Sequence, residues 1–232
     1  MSSSSGTPDK VGTNTDSKEL FGNVPRMRVP DCCRGVDVVI GVDEAGRGPL
    51  LGPLVYCAAF WPESENEAIS KLGFDDSKAL KEGERERLLA GLLKHPSIGF
   101  VIEELTAERI SEEMLNPIPT SLNQISYNAV VRMLERIRDC GRGEAQCDAA
   151  PLPHECFVDT VGDPGLYESK LRQGLGRSFE TKFTIEKKAD ATYKVVSAAS
   201  IIAKCTRDAV VSSCRWEEES LNSLTPLDTK FG

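Results

Sequence analysis

Acidic residues occur in this sequence at the ends of apolar segments and at the start of a predicted helix. Asp43 and Glu44 directly follow the β-branched run 36–42, Asp159 ends a second apolar run, and Asp190 precedes a long helical pattern. A carboxylate at the end of a buried strand is costly unless it is paired or binds a cation. Loops at strand ends are also where α/β folds place their active sites. These positions are therefore candidate metal ligands.

If these acids converge in the folded protein, they indicate a site for divalent-metal chemistry. Four carboxylates at one spot would repel one another, and hard oxygen ligands select Mg²⁺ or Mn²⁺. Two such ions about 4 Å apart activate a water and stabilise the leaving oxygen in phosphodiester cleavage. Spacing alone leaves two other interpretations open: Asp43 and Glu44 as a solvated acid pair at a turn, and Asp190 as a helix N-cap.

Gly46, Arg47 and Gly48 form a short turn directly after the first acid pair. Glycine lets the backbone approach a ligand closely, and the turn offers N–H donors and one guanidinium. These groups suit a phosphate. The turn therefore predicts a phosphate-bearing ligand beside the carboxylates.

An α/β domain with a mixed sheet is the fold expected to position these residues. Short apolar runs predict strands at 36–43, 54–61, 99–105, 156–159 and 179–185, and amphipathic runs predict helices at 81–94, 106–115, 121–138 and 191–216. Pro and Gly between the first two strands predict an antiparallel hairpin. The helix over 121–138 should bury the stripe Ile125, Val130, Met133, Leu134 and Ile137.

Composition excludes several classes of protein. The 232 residues are 40% hydrophobic and 28% charged, which fits a globular core rather than a disordered chain. No run approaches the roughly 18 apolar residues of a membrane helix. The N-terminus has no apolar signal segment, so we expect a protein that is neither secreted nor inserted in a membrane. We expect residues 1–34 to form a disordered tail and 35–232 to form the folded domain.

Cysteine usage and charge narrow the class further. Eight cysteines without a Cys-x-x-Cys pair predict reduced thiols in a cytosolic or nuclear protein. The formal net charge is −8, whereas a simple electrostatic nucleic-acid binder is basic. The segment 181–215 is the exception, with seven Lys and Arg against three Asp and Glu. Contact with a phosphate backbone is therefore expected from this segment, which contains Lys204 and Arg207.

Six segments together resemble the type 2 ribonuclease H family. The most specific is the block GVDEAGRGPLLGPLVYCAAFWP at 41–62. The others follow in the family's order: DSK at 76–78, SLNQIS at 121–126, VDTVG at 158–162, KADA at 188–191 and VVSAASI at 195–201. The VDTVG form is typical of the family's eukaryotic catalytic chains. The resemblance covers about 35 to 232.

The resemblance implies a ribonuclease H-like fold, with a central mixed β-sheet flanked by helices. It implies that two Mg²⁺ or Mn²⁺ ions are held by four catalytic acids: Asp43, Glu44, Asp159 and Asp190. It also implies that the backbone of Gly46, Arg47 and Gly48 reads the ribose 2′-hydroxyl. Further substrate contacts are implied for Lys78, Asn123, Ser200, Lys204 and Arg207.

The activity that the resemblance implies is metal-dependent endonucleolytic cleavage of the RNA strand of RNA–DNA hybrids. It also implies cleavage on the 5′ side of single ribonucleotides in duplex DNA, with 3′-hydroxyl and 5′-phosphate products. The same resemblance implies nuclear residence and assembly into a heterotrimer with two accessory proteins (the B and C components). It also implies roles in DNA replication, RNA primer removal, ribonucleotide excision and mismatch repair.

The sequence ends at Gly232, where family members continue with a Gly-Ser-Gly-Tyr-Pro segment and a helical region. We therefore expect a C-terminally truncated domain that lacks the tyrosine stacking at an RNA–DNA junction and the region that helps dock the accessory proteins. This departure keeps a second function open, a catalytically inactive protein that binds hybrids or acts as a scaffold. A third is another carboxylate nuclease of the same fold, such as a DNA exonuclease.

Overall fold

A computed structural model describes residues 25–49, 51–73, 82–140, 149–160, 162–177 and 179–213. Within these ranges the strands are β1 (Met27–Arg28), β2 (Asp37–Ala45), β3 (Leu54–Pro62), β4 (Gly99–Leu105), β5 (Leu152–Asp159) and β6 (Lys182–Glu186). The helices are α1 (Asn66–Ser70), α2 (Glu82–Lys94), α3 (Ala107–Leu115), α4 (Leu122–Asp139), α5 (Pro164–Leu175), α6 (Ala189–Thr192) and α7 (Lys194–Ser213). None of these helices is long and apolar enough to cross a membrane.

The six strands form one mixed sheet in the order β1-β4-β3-β2-β5-β6. β2 and β3 pair antiparallel, which confirms the predicted hairpin, and Asp43 lies opposite Cys57. β5 pairs parallel with β2, and β6 pairs parallel with β5. Because Val42 pairs with Val158, the carboxyl ends of β2 and β5 meet at one edge of the sheet. Asp43 and Asp159 therefore end adjacent strands.

The two faces of the sheet pack against different helices, because side chains alternate along each strand. Val38, Ile40 and Val42 belong to the core formed with α4 and α5. Val39 and Ala45 belong to the core formed with α2 and α7. β3 is buried along its whole length, as expected for a central strand covered on both faces.

The helix α4 confirms the predicted stripe. Its N-cap Ser121 accepts a hydrogen bond from the N–H of Gln124 at 3.2 Å, which satisfies a donor that the first turn leaves unpaired. All the residues of the predicted stripe are buried: Ile125, Val130, Met133, Leu134 and Ile137.

Order begins earlier in the chain than the sequence predicts. A disordered tail is expected up to residue 34, but regular structure begins at Met27 within the described part of that segment. Met27 in β1 pairs with Val101 in β4, and Cys33 is fully buried. A strand of two residues has no alternation to recognise, so only its pairing partner reveals it. Residues 1–24 lie outside the described part of the chain.

Other boundaries also need correction. β5 begins at Leu152 rather than at 156, and β6 begins at Lys182 rather than at 179. The helix expected over 191–216 is divided, because Tyr193 adopts an extended conformation (φ −108°, ψ 119°) between α6 and α7. Positions 214–216 lie outside the described residues. The helix α5 was not predicted, although Asp163 caps it by accepting from the N–H of Leu166 at 2.7 Å.

Candidate active site

Three aspartates converge at the carboxyl edge of the sheet. Asp43 in β2, Asp159 at the end of β5 and Asp190 in α6 each place a carboxylate oxygen within 4.8 Å of the other two. Asp43 and Asp190 are each 4% exposed. The parallel pairing of β2 with β5 juxtaposes the first two, and the turn from β6 into α6 delivers the third.

Asp43 lies in a buried hydrogen-bonded setting. Its Oδ1 accepts from the N–H of Glu44 at 2.8 Å, and its carboxylate also hydrogen-bonds the Ser200 side chain. Burial raises the pKa of Asp43 to about 6, and the neighbouring charge of Asp159 acts in the same direction. Burial disfavours the ionised form of a carboxylate, and a nearby positive charge favours it. A cation at this site would therefore help to keep Asp43 ionised.

Ser200 and Lys204 link α7 to that carboxylate. Lys204 Nζ donates to Ser200 Oγ at 2.8 Å, one turn earlier on the helix. The Ser200 side chain in turn hydrogen-bonds the Asp43 carboxylate. The positive charge of Lys204 offsets part of the rise that burial causes in the pKa of Asp43. The predicted substrate contacts Ser200 and Lys204 therefore also support the carboxylate cluster.

Asp159 is held by two backbone amides. The N–H of Thr160 donates to Asp159 Oδ1 at 3.0 Å, and the N–H of Ala189 donates to the same oxygen at 3.1 Å. Two donors on one oxygen restrict rotation of the carboxylate. Asp159 Oδ2 is the oxygen that these two amides do not bind.

Asp190 is not the N-cap of its helix. The N-cap of α6 is Lys188, and Asp190 lies in the first turn. The N-cap interpretation of Asp190 is therefore wrong. The break at Tyr193, which the sequence pattern hides, separates this turn from α7.

The three aspartates suit a divalent cation. They present oxygen donors only, they are close together, and two of them are almost completely buried. Their mutual repulsion in such a setting is relieved by a hard cation of the Mg²⁺ or Mn²⁺ type.

Glu44 stands apart from the three aspartates. Among the described residues the candidate metal group contains Asp43, Asp159 and Asp190. Burial is the main cause that raises the pKa values of Tyr56 and Tyr167, and the charge of Glu44 adds to the rise. Both tyrosines belong to the core on the α4 and α5 side. Strand alternation accounts for this, since neighbours in β2 serve opposite faces.

The turn after β2 is built around Gly46. Its φ is +99°, and a Cβ there would lie 2.4 Å from the carbonyl oxygen of Pro53 and 2.8 Å from Arg207 Nε. Gly46 is thus required by the fold itself. At Gly48, by contrast, a Cβ would meet no described atom within 4 Å, so the backbone there is open to a ligand.

Arg47 ties this turn to α4. Its Nη1 donates to Ser126 Oγ at 3.0 Å, and its Nη2 donates to Asn123 Oδ1. Ser126 is buried and itself donates to the carbonyl oxygen of Leu122 at 2.9 Å. The predicted substrate residue Asn123 therefore contacts Arg47. Sequence reasoning missed Ser126, although its position one turn after Leu122 in the SLNQIS segment was a usable signal.

A basic cleft of about 350 Å³ opens beside the turn. Four cations and two acids line it with the turn backbone: Arg47, Arg85, Lys204 and Arg207, with Glu44 and Asp208. Arg207 Nη2 also donates to the carbonyl oxygen of Leu51 at 2.8 Å, and Arg85 pairs with Asp208 at 3.3 Å. Arg85 was not predicted from the sequence. Lys78, which was, lies outside the described residues.

A mixed α/β sheet with converging aspartates at its carboxyl edge and a basic cleft beside them defines a protein of the ribonuclease H-like fold. Comparison with known protein families matches residues 40–224 to ribonuclease HII. The chain belongs to the ribonuclease HII family.

Individual relatives agree with this assignment. The chain is 38% identical over 204 residues to the A subunit of ribonuclease H2 from Homo sapiens, covering 88% of this chain and 63% of that protein. It is 39% identical over 180 residues to the A subunit of ribonuclease H2 from Arabidopsis thaliana, covering 78% and 57%. The crystal structure of ribonuclease H2 from Pyrococcus horikoshii OT3 matches with a TM-score of 0.62 and 32% identity, covering 83% and 82%. This chain spans about three fifths of the length of the curated relatives.

Proposed function

We propose that this chain is a metal-dependent endoribonuclease that cleaves the RNA strand of RNA–DNA hybrids and cuts 5′ of single ribonucleotides in duplex DNA. The observation that carries the proposal is the convergence of Asp43, Asp159 and Asp190 within 4.8 Å. Asp43 lies a few residues before a turn whose backbone is open at Gly48. Membership of the ribonuclease HII family supports the choice of substrate.

The three aspartates would hold the divalent ions, Mg²⁺ or Mn²⁺, with Glu44 as a proposed fourth acid at the cleft. When bound, such ions activate a water and stabilise the leaving 3′-oxygen, which gives 3′-hydroxyl and 5′-phosphate ends. The amides on Asp159 Oδ1 and the Ser200 hydroxyl on Asp43 orient the carboxylates before any ion arrives. Little reorganisation is then required at the moment of reaction.

The turn and the cleft would select and hold the nucleic acid. Gly48 leaves the backbone accessible, and backbone groups there can contact a ribose 2′-hydroxyl, the group that distinguishes RNA from DNA. Arg47, Lys204 and Arg207 line the cleft, and their charges would contact phosphates. This local basic surface explains how a chain of net charge −8 can bind a polyanion.

The names of the relatives support a proposal about partners. The human and Arabidopsis relatives are each the A subunit of ribonuclease H2, and we infer that this chain works in a complex with two accessory proteins. Nuclear residence and roles in replication and ribonucleotide repair are part of the same proposal.

The test is a cleavage assay on three duplexes: an RNA–DNA hybrid, a DNA duplex with one ribonucleotide, and all-DNA. Each is incubated with Mg²⁺, with Mn²⁺ and with EDTA. Metal-dependent cuts in the first two and none in the third are expected. Asp43→Asn or Asp159→Asn should abolish the cuts while circular dichroism and hybrid binding persist.

Two other results would redirect the proposal. Hybrid binding by the wild-type chain without turnover in either metal would indicate a catalytically inactive hybrid-binding protein or scaffold. Cleavage of all-DNA as fast as the hybrid would indicate a DNA nuclease of the same fold. Most activity remaining in both aspartate variants would overturn the assignment of the site.

A further inference from the structure

Lys188 has an unusual backbone. Among the non-glycine residues that the structure describes, it is the one with a positive φ (φ 61°, ψ 35°). The left-handed region is unfavourable for a residue with a Cβ, and it persists where the surrounding structure imposes it. Such residues cluster at functional sites. Lys188 lies two residues before Asp190.

The left-handed turn at Lys188 serves two of the three aspartates at once. It directs the N–H of the next residue, Ala189, to Asp159 Oδ1 at 3.1 Å. The carbonyl oxygen of Lys188 accepts from the N–H of Ala191 at 3.1 Å, which closes the turn that carries Asp190. A single backbone conformation therefore couples the orientation of Asp159 to the placement of Asp190.

The side chain of Lys188 shows no comparable involvement. It is exposed, and it makes no capping hydrogen bond to the described helix α6. Its neighbour Lys187 has the same side chain and the same exposure, but it is not among the described residues with positive φ. Substitutions at Lys187 and at Lys188 can therefore be compared to separate an effect of backbone conformation from an effect of charge.

We propose that Lys188 is a positioning residue whose left-handed backbone, rather than its ammonium group, sets Asp159 and Asp190 for metal binding. The inference rests on the proposed function for the identity of the bound ion as a catalytic metal. The opposing interpretation is a lysine that contacts a phosphate of the nucleic acid.

The substitutions Lys188→Gly, Lys188→Gln and Lys188→Val distinguish the two. Glycine adopts the left-handed region freely and has no charge, glutamine removes the charge but keeps an unbranched side chain, and valine is β-branched and disfavours that region. Lys187→Val is the matched control. Each protein is titrated with Mn²⁺ by calorimetry without nucleic acid, and its melting temperature is measured with and without Mn²⁺.

We expect Lys188→Gly and Lys188→Gln to bind Mn²⁺ within about twofold of the wild type, whereas Lys188→Val loses about tenfold or more, as for other groups that orient metal ligands. Lys187→Val should bind Mn²⁺ as the wild type does. In cleavage assays Lys188→Val should need a higher metal concentration than Lys188→Gly.

Several results would overturn the inference. One is wild-type Mn²⁺ affinity in a folded Lys188→Val protein. Another is a loss of Mn²⁺ affinity in Lys188→Gly that is as large as the loss in Lys188→Val. This result would count against the inference even if the valine variant folded poorly. Normal Mn²⁺ binding with weakened hybrid binding in both the glycine and glutamine variants would assign Lys188 to phosphate contact. A wild-type chain that binds Mn²⁺ but cleaves nothing would contradict the proposed function alone, since these titrations contain no nucleic acid.

Discussion

Gly41 in β2 and Val195 in α7 approach so closely that a Cβ at position 41 would lie 2.2 Å from the carbonyl carbon of Val195. This contact sets the distance between the strand that carries Asp43 and the helix that carries Ser200 and Lys204. The glycine is therefore a structural requirement of the candidate active site, although it is two residues from the first aspartate.

Gly41→Ala should destabilise the protein by about 3 kcal/mol or more, because the added methyl group must displace helix backbone rather than a flexible side chain. Gly91→Ala on α2 is the control, since a Cβ there meets no described atom within 4 Å. That exchange should stabilise the helix by about 0.5–1 kcal/mol. Urea unfolding measures both, and equal midpoints for the two variants would contradict the close-contact argument.

The stability of the metal-free protein should fall as the pH rises from about 4 to about 6. Burial raises the pKa of Asp43 from its ordinary 3.8 to about 6, so in this window the folded state keeps a proton that the unfolded chain releases. The stability lost through this group is at most about 3 kcal/mol, and the loss is complete above about pH 6.

Asp43→Asn should remove that part of the pH dependence in thermal melts performed with EDTA, and it should raise the stability at pH 7. Asp37→Asn, at the exposed start of the same strand, controls for the loss of one surface charge. Because protons compete with the cation for Asp43, Mn²⁺ affinity of the wild type should weaken below about pH 6. An unchanged pH profile in Asp43→Asn would show that another group controls it.

Gly46 and Gly48 should respond differently to alanine. Gly46→Ala combines a positive φ with a contact of 2.4 Å to the Pro53 carbonyl oxygen, so both the melting temperature and the cleavage rate should fall. Gly48→Ala meets open space and should melt like the wild type, while its KM for a ribonucleotide-containing duplex rises. A Gly48→Ala protein with wild-type KM would show that no ligand approaches the backbone there.

Ser126→Ala should weaken substrate binding through Arg47. The substitution removes the acceptor of Arg47 Nη1 at a buried position, which costs about 1–3 kcal/mol of stability. Arg47, which anchors the turn, then keeps its hydrogen bond to Asn123 but loses the one to Ser126. Ser121→Ala removes the N-cap of the same helix and costs about 1 kcal/mol without a contact to Arg47. KM should therefore rise in Ser126→Ala only, and equal KM values would assign Ser126 to stability alone.

Much of the fold could be predicted because its signals are local. Apolar β-branched runs placed β2, β3 and β4 within a few residues, and the amphipathic stripe placed α4. The block from Gly41 to Pro62 indicated the family and, through it, the acids and the glycine turn. The strand β1 and the division between α6 and α7 were not predicted. A strand of two residues and a break of one residue are too short to produce a periodic pattern in the sequence.

By itself, the sequence indicated which residues are candidates for the chemistry: the four acids, the Gly46–Gly48 turn and the basic segment toward the C-terminus. Only the tertiary structure decided how they combine. It grouped Asp43, Asp159 and Asp190 but left Glu44 outside that group, joined Arg47 to Ser126, and imposed a left-handed backbone on Lys188. The physical reason is that these relationships depend on strand register and helix packing between residues far apart in the chain, which the identity of the neighbouring residues does not encode.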